Sequence, residues 1–100
     1  MMPFLLAALL AQAQPSSAPT VVVHMKNFAF VPATVQIKPG DVVEWVNDDD
    51  DAHTVDSSRH LFASGGLDTH DAWEHAFKTP GTFTYFCDLH PYMKGTVIVK

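Results

Sequence analysis

The sequence is short of cysteine, of basic side chains and of long apolar runs, and each shortage excludes a class of protein. Its single cysteine, Cys87, cannot form an internal disulfide, so any staple in this 100-residue chain is a metal. Six Lys and Arg against eleven Asp and Glu give a net charge of −5 without a basic cluster, which argues against nucleic acid or an anionic membrane as partner. The apolar run at residues 3–10 is far below the roughly 20 residues that span a bilayer, so we expect no stable membrane insertion.

The first 19 residues change composition twice. The apolar run is followed by Ala11-Gln12-Ala13, which fits the small-x-small pattern of a signal-peptide cleavage site, although no Lys or Arg precedes it. Three polar residues, two prolines and Ala18 fill positions 14–19. We predict a signal peptide at 1–13, a linker at 14–19 and one domain at 20–100, in a periplasmic or otherwise exported protein. The alternative is that the N-terminus is a disordered apolar tail.

From residue 20 onward, short runs alternate apolar and polar residues and are rich in β-branched and aromatic side chains. Pro39-Gly40 and Pro80-Gly81 mark turns, and no long stretch has helical periodicity. In one run, Val43 and Trp45 share a face. The pattern predicts an antiparallel β-sandwich with strands in seven segments: 20–26, 33–40, 41–47, 52–57, 71–81, 82–87 and 95–100.

The segment YFCDLHPYMKG places Cys87, His90 and Met93 three residues apart. Blue-copper sites use two imidazoles, one thiolate and a weak axial thioether, so this segment supplies three of four donor types. A strand would point residues three apart to opposite faces, whereas a tight loop can turn all three inward. Pro91 and Gly95 suit such a loop. His53, which begins a separate short strand, is the best candidate for the second imidazole.

Other interpretations of these residues remain open. Taken singly, a lone Cys is usually a small buried apolar residue and Met93 would be core filler. One rival function is an exported copper-binding or delivery protein that carries no electrons. A second is a thiol enzyme, with Cys87 as nucleophile and His90 as base. A third is a binding sandwich without a metal.

Two stretches, YFCDLHPYM and the upstream VNDDDDAHTV, resemble those of the cupredoxins, the small blue-copper electron carriers, and most of all the plastocyanin and amicyanin group. The resemblance extends from about residue 21 to residue 100. It implies a Greek-key β-sandwich of about seven to eight strands. It also implies one copper ion per chain, cycling between Cu(I) and Cu(II), on a metal site of His53, Cys87, His90 and Met93. Such a protein carries single electrons and is not an enzyme.

The resemblance also implies how the protein meets others. Redox partner proteins would dock transiently near His90, Pro91 and Tyr92, and we expect a monomer. The four consecutive Asp residues at 48–51 would lie in a solvated loop and steer a basic partner. Asn47 matches a position whose side chain ties the first histidine loop to the cysteine loop. Of the remaining histidines, we expect His75 in the core at a strand edge, and His60 and His70 in solvent.

Overall fold

The computed structural model describes residues 18–100. The predicted signal peptide at 1–13 and residues 14–17 of the predicted linker lie outside the described residues, so the predicted division of the chain stays a prediction. The described residues include no helix that is long and apolar enough to span a membrane.

Within residues 18–100, eight strands form two four-stranded sheets that face each other. The first sheet has the order β2-β1-β4-β6 and the second β3-β8-β7-β5. The all-β sandwich and the predicted number of strands are confirmed. The sheets are mixed, however, because β1 pairs with β4, and β3 with β8, in parallel. The strands are β1 Val21–Met25, β2 Phe30–Val31, β3 Thr34–Ile37, β4 Asp41–Asn47, β5 Asp56–Ser57, β6 Ala72–Phe77, β7 Gly81–Phe86 and β8 Lys94–Val99.

The core lies between the sheets, and the alternation in sequence decides which side chains enter it. Val43 and Trp45 share one face of β4, as predicted, and both are fully buried, whereas Val42, Glu44 and Val46 between and beside them are partly exposed. Trp45 is the centre of the core: its ring centroid lies 5.3 Å from that of Tyr85 in the opposite sheet and 5.5 Å from that of Trp73 on β6. Burying such large aromatic side chains supplies much of the apolar area that stabilises a small domain.

His75 closes one edge of this core, as expected from its alternation with Trp73 and Phe77. Its ring stacks on Trp73 at an interplanar angle of 15° and lies 4.7 Å from the ring of Phe62. Desolvation by these neighbours lowers the pKa of His75 below its usual 6.5.

The lowered pKa of His75 predicts a loss of stability in mild acid. As pH falls through 6.5, the unfolded chain binds a proton at His75 before the folded chain does, so the free energy of unfolding decreases. As pH is lowered from about 7 to about 5, we expect the melting temperature of His75→Gln to fall by less than that of the wild type. The contribution of His75 to the pH dependence of the free energy of unfolding should stay well under about 1.4 kcal/mol per pH unit, because solvent screens a partly exposed ring.

His60→Asn is the control for this experiment, since His60 is exposed and Asn tolerates the positive φ of 61° found there. The control should follow the wild-type pH profile. A profile of His75→Gln that also matches the wild type would contradict the prediction.

Candidate metal centre

Two successive turns fold the loop between β7 and β8. The N–H of His90 donates to the carbonyl of Cys87 at 3.2 Å, and the N–H of Met93 donates to the carbonyl of His90 at 2.8 Å. The N–H of Cys87 then donates to the carbonyl of Met93 at 3.1 Å and closes the loop. The three-residue spacing in the sequence is therefore the spacing of these turns, which place Cys87, His90 and Met93 at their junctions.

His53 reaches the same place from the segment that joins β4 to β5. It follows β4 and forms an isolated bridge with Leu67, with backbone N–H to carbonyl distances of 3.0 and 2.8 Å. Its Nδ1 lies 3.1 Å from Nδ1 of His90, and Sγ of Cys87 lies 3.7 Å from both nitrogens. The structure thus brings together three of the four predicted site residues, separated by up to 37 positions in the chain.

The three donor atoms suit a metal ion in their size and in their chemistry. A point equidistant from the two nitrogens and the sulfur lies roughly 2 Å from each, close to the metal–nitrogen distance usual in protein sites. Two imidazoles with a thiolate are donors that copper prefers. His53 and Cys87 are fully buried, so the site is closed on their side.

Met93, the fourth predicted site residue, is 2% exposed and belongs to the core cluster. Its backbone holds the loop through both its N–H and its carbonyl. Its position at the end of the same loop is compatible with a thioether donor, and its role as such stays a prediction.

Asp49 holds the far side of the His53 ring. Its Oδ2 lies 2.8 Å from Nε2 of His53, and its carboxylate also accepts the backbone N–H groups of Asn27 at 2.7 Å and Phe28 at 2.9 Å. Partial burial raises the pKa of Asp49, but these hydrogen bonds outweigh it, so the net pKa lies below the ordinary 3.8. An ionised Asp49 fixes the proton of His53 on Nε2, which leaves Nδ1 free to bind a metal.

The predicted partner of Asn47 is wrong. Its amide donates to the carbonyl of Asp51 in the histidine loop at 2.8 Å and to that of Leu67, the bridge partner of His53, at 2.9 Å, so these hydrogen bonds do not involve the cysteine loop. Thr54 makes the connection instead. Its Oγ1 accepts the N–H of Asp88 at 2.7 Å, and its own N–H donates to Sγ of Cys87 at 3.4 Å.

Phe28 is a site residue that the sequence did not reveal. Its ring meets the rings of His53 and His90 edge-on, with centroids 5.5 and 5.0 Å away. Asn27 and Phe28 both have positive φ, 55° and 57°, which is uncommon for non-glycine residues, and Asp49 accepts both of their N–H groups. The pair NF in the sequence carries no signal of this role, because the role depends on a carboxylate more than 20 positions away.

The His90 side of the centre faces solvent. The His90 side chain is 21% exposed, and Tyr92 and Leu89 beside it are 68% and 55% exposed. Asp51 lies at the edge of this surface, with its Oδ2 3.9 Å from Nε2 of His90, and both Asp51 and its chain neighbour Asp50 are exposed. The expectation of a solvated acidic loop therefore holds for these two residues and for Asp48, which is exposed and pairs with His24 at 2.7 Å, whereas Asp49 is largely enclosed.

His60 and His70 are exposed, as expected. Among residues 18–100, the cluster of potential metal-binding side chains is the one formed by His53, Cys87 and His90.

Comparisons with known proteins agree with this architecture. The model of the cupredoxin-like domain family matches residues 1–99. An amicyanin of Paracoccus versutus is 34% identical over 83% of this chain and 67% of its own length, and amicyanin-alpha of Methylorubrum extorquens is 30% identical over 96% and 85%. The crystal structure of the Paracoccus versutus amicyanin superimposes with a TM-score of 0.75 at 31% identity, covering 88% of this chain and 86% of that one.

Proposed function

Since this chain belongs to the cupredoxin-like family, we propose that it is an electron carrier with a mononuclear type 1 copper site, which passes single electrons between redox proteins. The observation that carries the proposal is the convergence of two imidazole nitrogens and one sulfur at 3.1 to 3.7 Å. His53, Cys87 and His90 would hold the ion, with Met93 as the weak axial donor. Bound copper would supply a one-electron couple between Cu(I) and Cu(II).

The protein's own part is to keep the donors in place in both oxidation states. Asp49 fixes the His53 ring, the Thr54 N–H supports the sulfur, and the two turns of the loop fix the positions of Cys87 and His90. Donors held by their surroundings move little when charge changes, which keeps the reorganisation that accompanies electron transfer small.

We propose that the protein performs no bond-making chemistry on a substrate. The Cys87 side chain is fully buried, and its sulfur is surrounded by His53, His90 and Thr54. A nucleophilic thiol needs access to its substrate, and this one has none from solvent.

Copper binding tests the proposed function. Adding Cu(II) to the purified chain should give intense visible absorption that saturates at one ion per chain, because the thiolate donates charge to the metal. Binding without this absorption would favour the rival function, copper delivery without electron transfer, and the absence of binding would reject both.

We propose that electrons pass through the exposed edge of His90. Phe28, Leu89, Pro91 and Tyr92 make the surroundings of this edge apolar, and all four are exposed. A small apolar surface suits brief encounters with redox proteins, at the low end of interface size. A monomer in an exported compartment remains our proposal, as does the cleavage of residues 1–13.

The acidic loop predicts how a basic redox partner is attracted. Asp50 and Asp51 are exposed, and Asp51 lies beside His90, so removing their two charges should slow association severalfold at low ionic strength. Stopped-flow reduction by a basic redox protein at increasing salt should give a shallower slope for Asp50→Asn/Asp51→Asn than for the wild type. Asp41→Asn/Glu74→Gln removes two charges from the β4–β6 pair and is the matched control. Equal slopes for the two double variants would contradict local steering.

Asp49→Asn should weaken copper binding. The amide cannot accept from His53, Asn27 and Phe28 as the carboxylate does, and losing such a supporting contact typically costs 10–100-fold in metal affinity. Competition with a chelator measures the affinity. Asp50→Asn is the control, since it removes the same charge from an exposed neighbour. Equal affinities of the two variants would show that charge, and not the contact with His53, matters.

A further inference from the structure

The hydroxyl of Thr54 lies near three groups, one hydrogen-bond donor and two possible acceptors. It accepts the backbone N–H of Asp88 at 2.7 Å and donates to Oδ2 of Asp56 at 2.5 Å. The sulfur of Cys87 lies 4.0 Å from the same oxygen. Thr54 is buried, so its hydroxyl has to find its partners within the protein.

A hydroxyl has one proton, and here the carboxylate takes it. A hydrogen bond to an ionised acceptor is shorter and roughly twice as strong as one between neutral groups, so Asp56 outcompetes a sulfur 4.0 Å away. Thr54 therefore gives the sulfur its backbone N–H alone. Without the carboxylate, Cys87 Sγ becomes the acceptor that the hydroxyl can approach.

We propose that Asp56 keeps the reduction potential of the copper centre low by holding the Thr54 hydroxyl proton away from the sulfur of Cys87. Asp56 is a positioning residue that acts through Thr54, and the inference rests on the proposed function. Hydrogen bonding around the cysteine sulfur tunes the potential of blue-copper sites. The thiolate carries more negative charge in the reduced state, so an added donor stabilises that state and raises the potential.

Two substitutions separate the effect of the Asp56 charge on the reduction potential from the effect of its hydrogen bond. Asp56→Asn removes the charge and keeps an oxygen that accepts the hydroxyl proton, whereas Asp56→Ala removes both. The copper-loaded variants should therefore differ, with the higher potential in Asp56→Ala. At a fixed applied potential, we expect the ratio of reduced to oxidised protein to differ about tenfold between the two variants. For a one-electron couple this equals a difference of about 59 mV in reduction potential.

Thr54 supplies the second half of the test. In a Thr54→Val background the two Asp56 variants should have the same potential, because no hydroxyl remains to be released. In a Thr54→Ser background, which keeps the hydroxyl, the difference should return. The sulfur-to-copper absorption should lie at higher energy in Asp56→Ala than in Asp56→Asn. In Thr54→Val/Asp56→Ala it should lie at the same energy as in Thr54→Val alone.

A readout without copper tests the hydrogen bond itself. In the metal-free protein, NMR should detect a slowly exchanging Thr54 hydroxyl proton in the wild type and lose it in Asp56→Ala. Equal potentials of Asp56→Ala and Asp56→Asn, or a difference that survives Thr54→Val, would overturn the inference and leave the proposed function intact. A wild type without the intense absorption would overturn the proposed function and, with it, this role of Asp56.

Discussion

Replacing Cys87 by Ser is expected to abolish the intense visible absorption of the copper-loaded protein and to lower its copper affinity more than about 100-fold. The loss of a supporting contact alone costs 10–100-fold, and here a donor atom itself is removed. A serine hydroxyl stays protonated at neutral pH and is a poor donor for copper, so His53 and His90 would remain as the strong donors. Visible spectra and chelator competition measure the two effects.

The same substitution should leave the fold intact. Serine has nearly the shape of cysteine, and its oxygen can accept the Thr54 N–H that now approaches the sulfur at 3.4 Å. We expect the free energies of unfolding of the metal-free variant and of the metal-free wild type to differ by no more than about 1 kcal/mol. Retention of the intense absorption in Cys87→Ser would exclude the sulfur as its source. Loss of cooperative unfolding would show instead that Cys87 is needed for the core.

Replacing Gly95 by Ala is expected to destabilise the domain by about 3 kcal/mol, at the upper end of the usual cost of overpacking. Gly95 lies on β8 directly opposite Tyr85 on β7, and a Cβ at this position would come within 2.3 Å of both Cζ and the hydroxyl oxygen of Tyr85. The tyrosine ring has little room to move, because the rings of Phe30 and Trp45 lie 4.7 and 5.3 Å from it. Chemical denaturation of both proteins measures the loss.

Gly66→Ala is the matched control for this substitution. A Cβ at Gly66 would meet no atom within 4 Å, and its backbone conformation is open to other residues, so stability should change little. In Gly95→Ala the added Tyr85→Leu should recover part of the loss, since the smaller side chain makes room. A Gly95→Ala protein as stable as Gly66→Ala would mean that β7 and β8 separate easily at this pair.

The sequence predicted those parts of the structure that depend on one strand at a time. Alternation placed Val43 and Trp45 on the same face of β4, and the spacing of Cys87, His90 and Met93 matched the turns of their loop. The pairing of strands is a different matter, since alternation shows which face is buried and not which strand lies beside it. The parallel pairs and the two-residue strand β2 were missed for this reason.

The surroundings of the candidate metal centre were less predictable than its donors. Cysteine, histidine and methionine are residue types that commonly bind metals, so the sequence alone indicates them as donors. Phenylalanine and threonine are not, and only the tertiary contacts of Phe28 and Thr54 show that they belong to the site. Asn47 was assigned the wrong contact because its position in the chain does not determine which loop its amide meets. The run of four Asp suggested uniform solvation, yet Asp49 has donors from two other segments.

The carboxylate of Asp49 couples two segments that are distant in the chain. It holds the histidine loop on one side and the turn at Asn27 and Phe28 on the other, 22 and 21 positions upstream. A substitution in that turn is thus felt at His53, and a substitution at Asp49 removes the acceptor of a turn whose backbone is intrinsically unfavourable. Evolutionary change at these positions should consequently be correlated, so that drift in the N-terminal hairpin is constrained by a centre to which it contributes no donor atom.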